Sequence, residues 1–561
     1  MMIAGTTEIG DAQGMDMEEQ FASAQRLTIK PGASSAQQSS AGSLRSAVLL
    51  ALGFGLLKFL LATLSQIAAQ HAGYEIFRDE LYFVVCGRHP AWGYVDQPPI
   101  VPVIARISAW LFGLGSMALF HTFASLAGAA EVALTGLLTW RMGGSRWAQA
   151  LAMTAILTAP IMIALNATIS TSLLEPFFWM IVALALMELA RLADRENLNG
   201  RAAACWWLLF GVAAGLGLEN KWNEVFFLVC LLAGLLMTKQ RRILASKWFP
   251  VAFAVMVLLI LPNLLWEVHR HWPTLELLHN DQINGKNVQA GPLPFVLNQL
   301  MDWGPMMAPL WIGGVLWLLF SRATKSFRFL GVTYVLYLLL MMFLHAKHYY
   351  LAGIYPLYFA AGAAAWDALF QSRRRRHGLT PAYVALHVLT IAAIVPVIIP
   401  VLPPASTLAY QERLHIQPTK TETETTAPLS QYIADMLDWR HKADLLAAAW
   451  LSLPATERAQ AGIFTVNYGG ASAVTVYRPD VPPAISGHQN YFLWGPRGYT
   501  GKVMIVFGDS REKLESEFDS VEEFTQDTNP YVEPYERGPI FICRGLHGDL
   551  QTLWPKVKFW Y

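Results

Sequence analysis

Cysteine and charge are both scarce in this chain, and each shortage excludes something. Only four cysteines occur among 561 residues, Cys86, Cys205, Cys230 and Cys543, and no two stand in CxxC spacing. A disulfide framework and a zinc site therefore have no support. Charged residues make up 14% of the chain, against about 25% in an ordinary soluble protein. The net charge is +1, which gives no reason to expect nucleic acid as a partner. A GxGxxG phosphate cradle is missing as well. The nearest substitute is the NYGGAS turn at Asn467–Ser472, a weak nucleotide signal. No short basic, apolar, small-residue leader pattern stands before the first apolar run.

Apolar sequence is what the chain has in quantity. Hydrophobic residues make up 54%. Runs such as Ala47–Ala69 and Phe249–Trp266 are almost free of charge. A membrane span needs roughly 20 apolar residues, and many segments qualify. The expected class is a polytopic α-helical membrane protein. Residues 1–45 are polar and rich in Ala, Ser, Gln and Gly, and read as a disordered tail.

The positive charges orient the map. Basic connectors lie at Arg141–Arg146, Arg191–Arg201, Lys239–Lys247, Ser321–Arg328 and Arg373–His377. All of them can be cytoplasmic only if Gln97–Gly113 is not a span. That segment holds Pro98, Pro99, Pro102 and Arg106, and reads as an amphipathic helix in the outer interface. About eleven spans result, near 47–69, 116–140, 147–165, 173–192, 203–218, 223–238, 248–267, 306–320, 328–344, 350–370 and 381–402. The odd number puts the C-terminal region outside the cytoplasm. The membrane part is 46–403, with a first outer loop at 70–115.

That first loop is the most informative stretch. Tyr74–Pro102 carries Asp79, Glu80 and Asp96 together with Arg78, Arg88 and His89. Carboxylates at a membrane face are costly to desolvate and are functional candidates by default. The same map brings Asn166–Glu175, Glu219–Asn223, His269–Trp303 and His345–Tyr350 to the outer face. Bland readings stand beside the functional ones. Glu175 also fits a helix cap, Lys221 an interface anchor, and His345 and His348 simple interfacial residues. Glu131 and Glu188 read as bundle pairs or cytoplasmic-side residues.

Residues 404–430 form a polar linker, and 431–561 alternate strand and helix patterns. Ala461–Gly470 and Lys502–Ser510 read as buried strands, and Gln431–Leu451 and Arg511–Glu517 as helices. A small α/β domain of about 130 residues is expected. Ser486–Gly498, dense in aromatics, suits packing on the membrane part better than stacking sugar rings.

Membrane-edge carboxylates beside cations fit sugar transfer from a polyprenyl phosphate. A carboxylate base takes the proton of an acceptor hydroxyl. Cations stabilise the departing phosphate. A transporter or flippase of a lipid-linked saccharide is the alternative; such folds often carry internal repeats, and none is visible here.

RDELYF, WGYVDQPP, LEPFFW at Leu174–Trp179, ENKWN and KHYYLAGIYPLYFAAGAA together resemble bacterial glycosyltransferase family 39. These are the dolichyl-phosphate-mannose protein mannosyltransferase-like and aminoarabinose-transferase-like enzymes of the GT-C superfamily. The resemblance implies a GT-C fold, an outward-facing site, a polyprenyl-phosphate-sugar donor, a lipid, protein or glycan acceptor, and a home in the inner (plasma) membrane. It makes Asp79 the catalytic base, with Glu80 and Glu175 as further acidic groups. Asp96 and Gln97 stand where aminoarabinose transferases have Glu-Lys, so Gln97 replaces a phosphate-binding cation. Lys347 and Lys221, with Arg88, then hold the donor phosphate. Asp96, His348 and Tyr349 line the substrate. No cofactor is required. Some relatives are associated with a divalent ion, which nothing in this sequence demands.

Overall fold

The computed structural model describes residues 43–286, 291–370, 379–417, 422–423 and 427–561. Residues 1–42 of the expected N-terminal tail, the whole Arg373–His377 basic run and part of the linker lie outside these residues.

Apolar sequence becomes helix throughout the first 400 residues. Leu44–His71 is the longest helix, 28 residues, and starts where the Ser43 side chain accepts the Ser46 N–H. Among the described residues seven helices are long and apolar enough to cross a membrane. Besides Leu44–His71 they include Thr122–Arg141, Glu175–Asp194, Arg201–Asn220 and Phe249–His269. The protein is a multi-pass membrane protein.

The expected count of about eleven spans goes beyond these seven. Helix occupies every expected position, but several pieces are too short. Glu224–Leu236 and Ala308–Phe320 have 13 residues each. Pro160 splits the third expected span into Arg146–Leu157 and Pro160–Leu165, because proline cannot donate to the preceding turn. Pro292–Asp302 and Pro305–Phe320 would make one further span only as a pair bent by 93°. The expected interfacial segment holds a helix at Ile100–Phe112, with Val101 and Ala105 buried and Trp110 exposed.

Small residues let the helices touch, as membrane packing requires. A Cβ at Gly55 would meet the Ala129 carbonyl, one at Gly211 would meet Ala252, and Gly314 and Gly362 face each other's helices. Two buried charges are held inside the bundle. Glu131 accepts from the Asn166 amide at 2.9 Å, and Lys58 donates to the Met162 carbonyl at 3.4 Å. Glu188 pairs with Arg141 at 2.8 Å and with Arg191.

The C-terminal region carries a small mixed sheet. Its strands are β1 (Ala461–Thr465), β2 (Val503–Phe507), β3 (Phe518–Asp527) and β4 (Gly538–Leu546), in spatial order β1-β2-β4-β3. β1 and β2 run parallel; β4 is antiparallel to both of its neighbours. β1 and β2 fall where the sequence pattern puts them. The expected helix 431–451 is instead two pieces, Gln431–Ala434 and Trp439–Ser452, interrupted where Asp438 adopts a left-handed φ of 73°. The helices Trp439–Ser452 and Tyr468–Tyr477 join a single apolar core with the first-loop helix Arg78–Arg88.

Candidate active site

The first loop turns into the helix Arg78–Arg88 at Phe77, whose backbone is extended. Glu80 bonds back to the Phe77 N–H at 3.0 Å, and two carboxylates in the first turn suit the helix dipole. This places the adjacent acids in opposite environments.

Glu80 is 0% exposed. His121 Nε2 lies 2.8 Å from its Oε1, and the Ile169 N–H donates to the same oxygen. The carboxylate ties the loop to the start of helix Thr122–Arg141. All its hydrogen-bonding capacity goes to the protein, so the structure does not bring Glu80 to a reacting group. Glu80, expected as a further acidic group of the site, is held in this structure by the protein's own donors.

Asp79 has a side chain 33% exposed. Its Oδ1 accepts from the Tyr468 hydroxyl at 2.6 Å and from Arg78 Nε at 3.2 Å. Among the described residues no donor reaches Oδ2. Arg78 is fixed in turn by Asp435 at 3.4 Å and Glu536 at 3.8 Å, both from the C-terminal region. Burial pushes the Asp435 carboxyl well above its ordinary range, against the pull of Arg78.

Asp96 accepts from the Tyr82 hydroxyl at 3.0 Å. The Tyr82 and Tyr468 rings lie 4.6 Å apart at a tilt of 30°, so two adjacent tyrosines hold two neighbouring carboxylates. Burial pushes Asp96 up to about 7; the Tyr82 hydrogen bond opposes this and the charge of Asp79 adds to it. Gln97 is 1% exposed, and its side-chain amide has no partner among the described residues.

A second cluster gathers from three other segments. Lys221 Nζ donates to Ser172 Oγ at 2.8 Å and reaches Glu175 at 3.4 Å. Asn223 donates to the other Glu175 oxygen at 2.6 Å. Lys221 also lies over the Tyr350 ring, 4.6 Å from its centroid. Lys347 pairs with Glu422 at 3.2 Å. Tyr349 links the clusters: burial raises its hydroxyl above the ordinary value, and the carboxylates of Glu422, Glu175 and Asp79 raise it further.

Two expected site residues stand apart. Arg88 is nine positions beyond Asp79 on one helix, about 13 Å along the axis, and donates to the Thr475 carbonyl at 3.1 Å. His348 faces Asp302 at 2.7 Å, and its neighbour Tyr349 enters the site.

Several groups escape the sequence reading. Tyr468 sits in the NYGGAS turn, whose glycine serves packing: a Cβ at Gly469 would lie 2.7 Å from Arg78 Cγ. Glu422 belongs to the polar linker. Burial alone would raise it, yet Lys347, Lys286 and Arg78 hold it down at about 2. His488, from Ser486–Gly498, lies against the Tyr468 ring at 4.6 Å, and Asn490 accepts the Val95 N–H at 2.8 Å. That segment packs on the first loop, as its aromatics suggest. No signal in one sequence joins positions 79, 422 and 468.

Among the described residues no three His, Cys, Asp or Glu side chains converge as a metal site. A divalent ion has no ready ligand set there, and no step below passes through one.

Residues 96–266 match the family model of the dolichyl-phosphate-mannose-protein mannosyltransferases. The chain superposes on ArnT from Cupriavidus metallidurans, solved with undecaprenyl phosphate and also in the apo state, with a TM-score of 0.56 at 12% identity. The match covers 87% of this chain and 98% of ArnT. The chain shares the fold of ArnT. The resemblance carried by the sequence motifs is thus matched by a family model and by a fold. A weaker likeness is to the Archaeoglobus fulgidus oligosaccharyltransferase in its apo form, at 11% identity, 77% and 64% coverage and a TM-score of 0.45. No curated protein sequence matches the chain.

Proposed function

We propose that this GT-C protein is an integral membrane glycosyltransferase. It moves a sugar from a polyprenyl-phosphate donor to an acceptor hydroxyl at the outer face of the inner membrane, with the C-terminal region outside the cytoplasm. The observation that carries the reading is Asp79. One of its oxygens is held by two donors, while no donor among the described residues reaches the other. A carboxylate so oriented can accept a proton from a hydroxyl placed against Oδ2.

The chemistry is a single displacement. Asp79 Oδ2 takes the acceptor O–H proton as that oxygen bonds to the anomeric carbon. The bond from the anomeric carbon to the phosphate oxygen breaks, and its electron pair leaves with polyprenyl phosphate. Lys347 offers the cation for the phosphate, and Lys221, though shared with Glu175, adds positive charge nearby. A point charge at a low-dielectric edge counts for more than in water. The buried Gln97 amide is a further hydrogen-bonding group for the donor, and Asp96 and Tyr349 line the sugar.

The test is transfer by purified protein in vesicles supplied with a polyprenyl-phosphate sugar and candidate acceptors. The reading expects a product of inverted anomeric configuration, as one displacement requires, and bare polyprenyl phosphate as by-product. Retained configuration would refute the direct displacement. Absence of any transfer with every lipid, protein and glycan acceptor offered would count against the enzyme reading itself.

A further inference from the structure

The Asp79 carboxylate is completed from a part of the chain almost 400 positions away. Tyr468 opens the helix Tyr468–Tyr477, and its hydroxyl donates to Asp79 Oδ1 at 2.6 Å. Hydrogen bonds to an ionised carboxylate are short and strong. The ring that delivers it has three close neighbours. The tilted rings of Tyr82 and His488 each lie 4.6 Å away, and the Arg78 guanidinium carbon lies 5.5 Å from the ring centroid. The Tyr468 N–H points to His488 Nδ1 at 3.4 Å. Gly469 allows this approach, because any side chain there would strike Arg78 and Trp439.

We infer that Tyr468 is a positioning residue for the sugar-transfer reaction. Its hydroxyl locks the Asp79 carboxylate so that Oδ2 faces the acceptor, and the C-terminal region is thereby a working part of the active site. The inference rests on the reading of Asp79 as the base. Arg78 alone leaves the carboxylate free to swing, because one donor on one oxygen does not fix a plane. Tyr468 adds a second donor on the same oxygen from a different direction. Burial pushes the Tyr468 hydroxyl well above its ordinary value, against the pull of Arg78, so it stays protonated and donating. The membrane part without the C-terminal region would keep Asp79 but lose this donor. It would also lose Asp435 and Glu536, which hold Arg78.

The experiment uses the full chain in vesicles. Tyr468→Phe removes one hydroxyl and keeps the ring. The expected result is a kcat lowered by about 10- to 100-fold, the scale set by misplacement of a reacting group, with donor KM within about two-fold of the parent. Two further variants make the outcome decisive. Arg440→Ala breaks a contact between the same two regions, its donation to the Leu114 carbonyl at 3.1 Å, at a distance from Asp79. It should leave kcat unchanged. If Arg440→Ala lowers kcat as much as Tyr468→Phe, the effect is docking of the regions and the positioning role is wrong. If Tyr468→Phe turns over like the parent while Asp79→Asn is inactive, Tyr468 has no role and the base reading survives. If Asp79→Asn is itself as active as the parent, the base reading fails, and the inference with it.

Discussion

The helix Glu175–Asp194 carries charge at both ends, about 30 Å apart, and the two ends are built differently. At the Asp194 end the acidic groups of the helix meet opposite charges. Glu188 bonds Arg141 and Arg191, Arg242 pairs with Asp194, and Ser326 donates to the same aspartate. Most of these groups remain partly exposed. At the Glu175 end, charges are buried beside aromatic hydroxyls, and some oxygens are left over. Glu175 takes Lys221 and Asn223; among the described residues, Asp79 keeps one oxygen without a donor and the Gln97 amide has no partner. The Asp194 end is paired for anchoring. The Glu175 end holds charge in readiness for something that is not protein. Incomplete satisfaction, more than charge density, separates a candidate site from a topology signal.

The sharpest way to break this comparison is to substitute the two adjacent carboxylates of the first loop. Asp79→Asn should lower sugar transfer by about 10²- to 10⁴-fold, the usual cost of losing a general base, with donor binding kept. Glu80→Gln should behave oppositely. It damages a fully buried tie to His121 and the Ile169 N–H, and should cost about 3 kcal/mol of stability. The folded fraction should retain its kcat. Thermal unfolding in detergent and turnover per folded protein separate the two. Equal kinetic loss in both would show that the pair acts as one catalytic unit after all.

Next in size is the phosphate seat. Lys347→Ala should weaken binding of both the polyprenyl-phosphate sugar and bare polyprenyl phosphate by about ten-fold or more, the scale of one lost charged hydrogen bond. Glu422 sharpens the point, because its carboxylate now pairs with that lysine. Glu422→Gln should tighten binding of the bare lipid phosphate, since the anion no longer competes with an internal one. Lipid titration of both variants checks this. Weaker binding in Glu422→Gln would mean that the glutamate orients the lysine.

The outcome of the sequence reading follows from physical range. Long apolar runs are local signals, so the helices of the membrane part were legible, including the placement of Asp79 in the first loop. Span number was less so, because Pro160 and short helices such as Glu224–Leu236 break the simple length rule. β1 and β2 were legible as apolar runs; β3 was not, since most of its residues face solvent. The different surroundings of Asp79 and Glu80 were not legible, because a helix turns successive residues through about 100° and sends them to different neighbours. Tyr468 and Glu422 were out of reach. Their meaning is a contact made by residues 389 and 75 positions distant, and one sequence carries no trace of it.

A smaller effect concerns pH. Burial holds Asp96 at about 7 in the folded protein, above an ordinary aspartate near 3.9. Between about pH 4 and 7 the folded state therefore binds more protons at this position than the unfolded chain. Stability from Asp96 is fully present below that window and falls as pH rises through it. Asp96→Asn should flatten this part of the stability profile, measured by denaturant unfolding across the window. An unchanged slope would mean that Asp96 titrates like an exposed carboxylate.

The smallest effect is expected where pairing is complete. Glu188→Gln removes the carboxylate shared by Arg141 and Arg191 at the far end of the helix from Glu175. Partly exposed ion pairs contribute about 0 to 1 kcal/mol, and the two arginines keep access to water at about 30% side-chain exposure. Arg191 also retains its donation to the Arg141 carbonyl. Stability should drop by about 1 kcal/mol or less, with sugar transfer within two-fold of the parent, roughly the scatter of a remote substitution. Transfer assays in vesicles, normalised to folded protein, check this. Should Glu188→Gln lose transfer as deeply as Asp79→Asn, completeness of pairing no longer distinguishes the two ends, and the contrast between them fails.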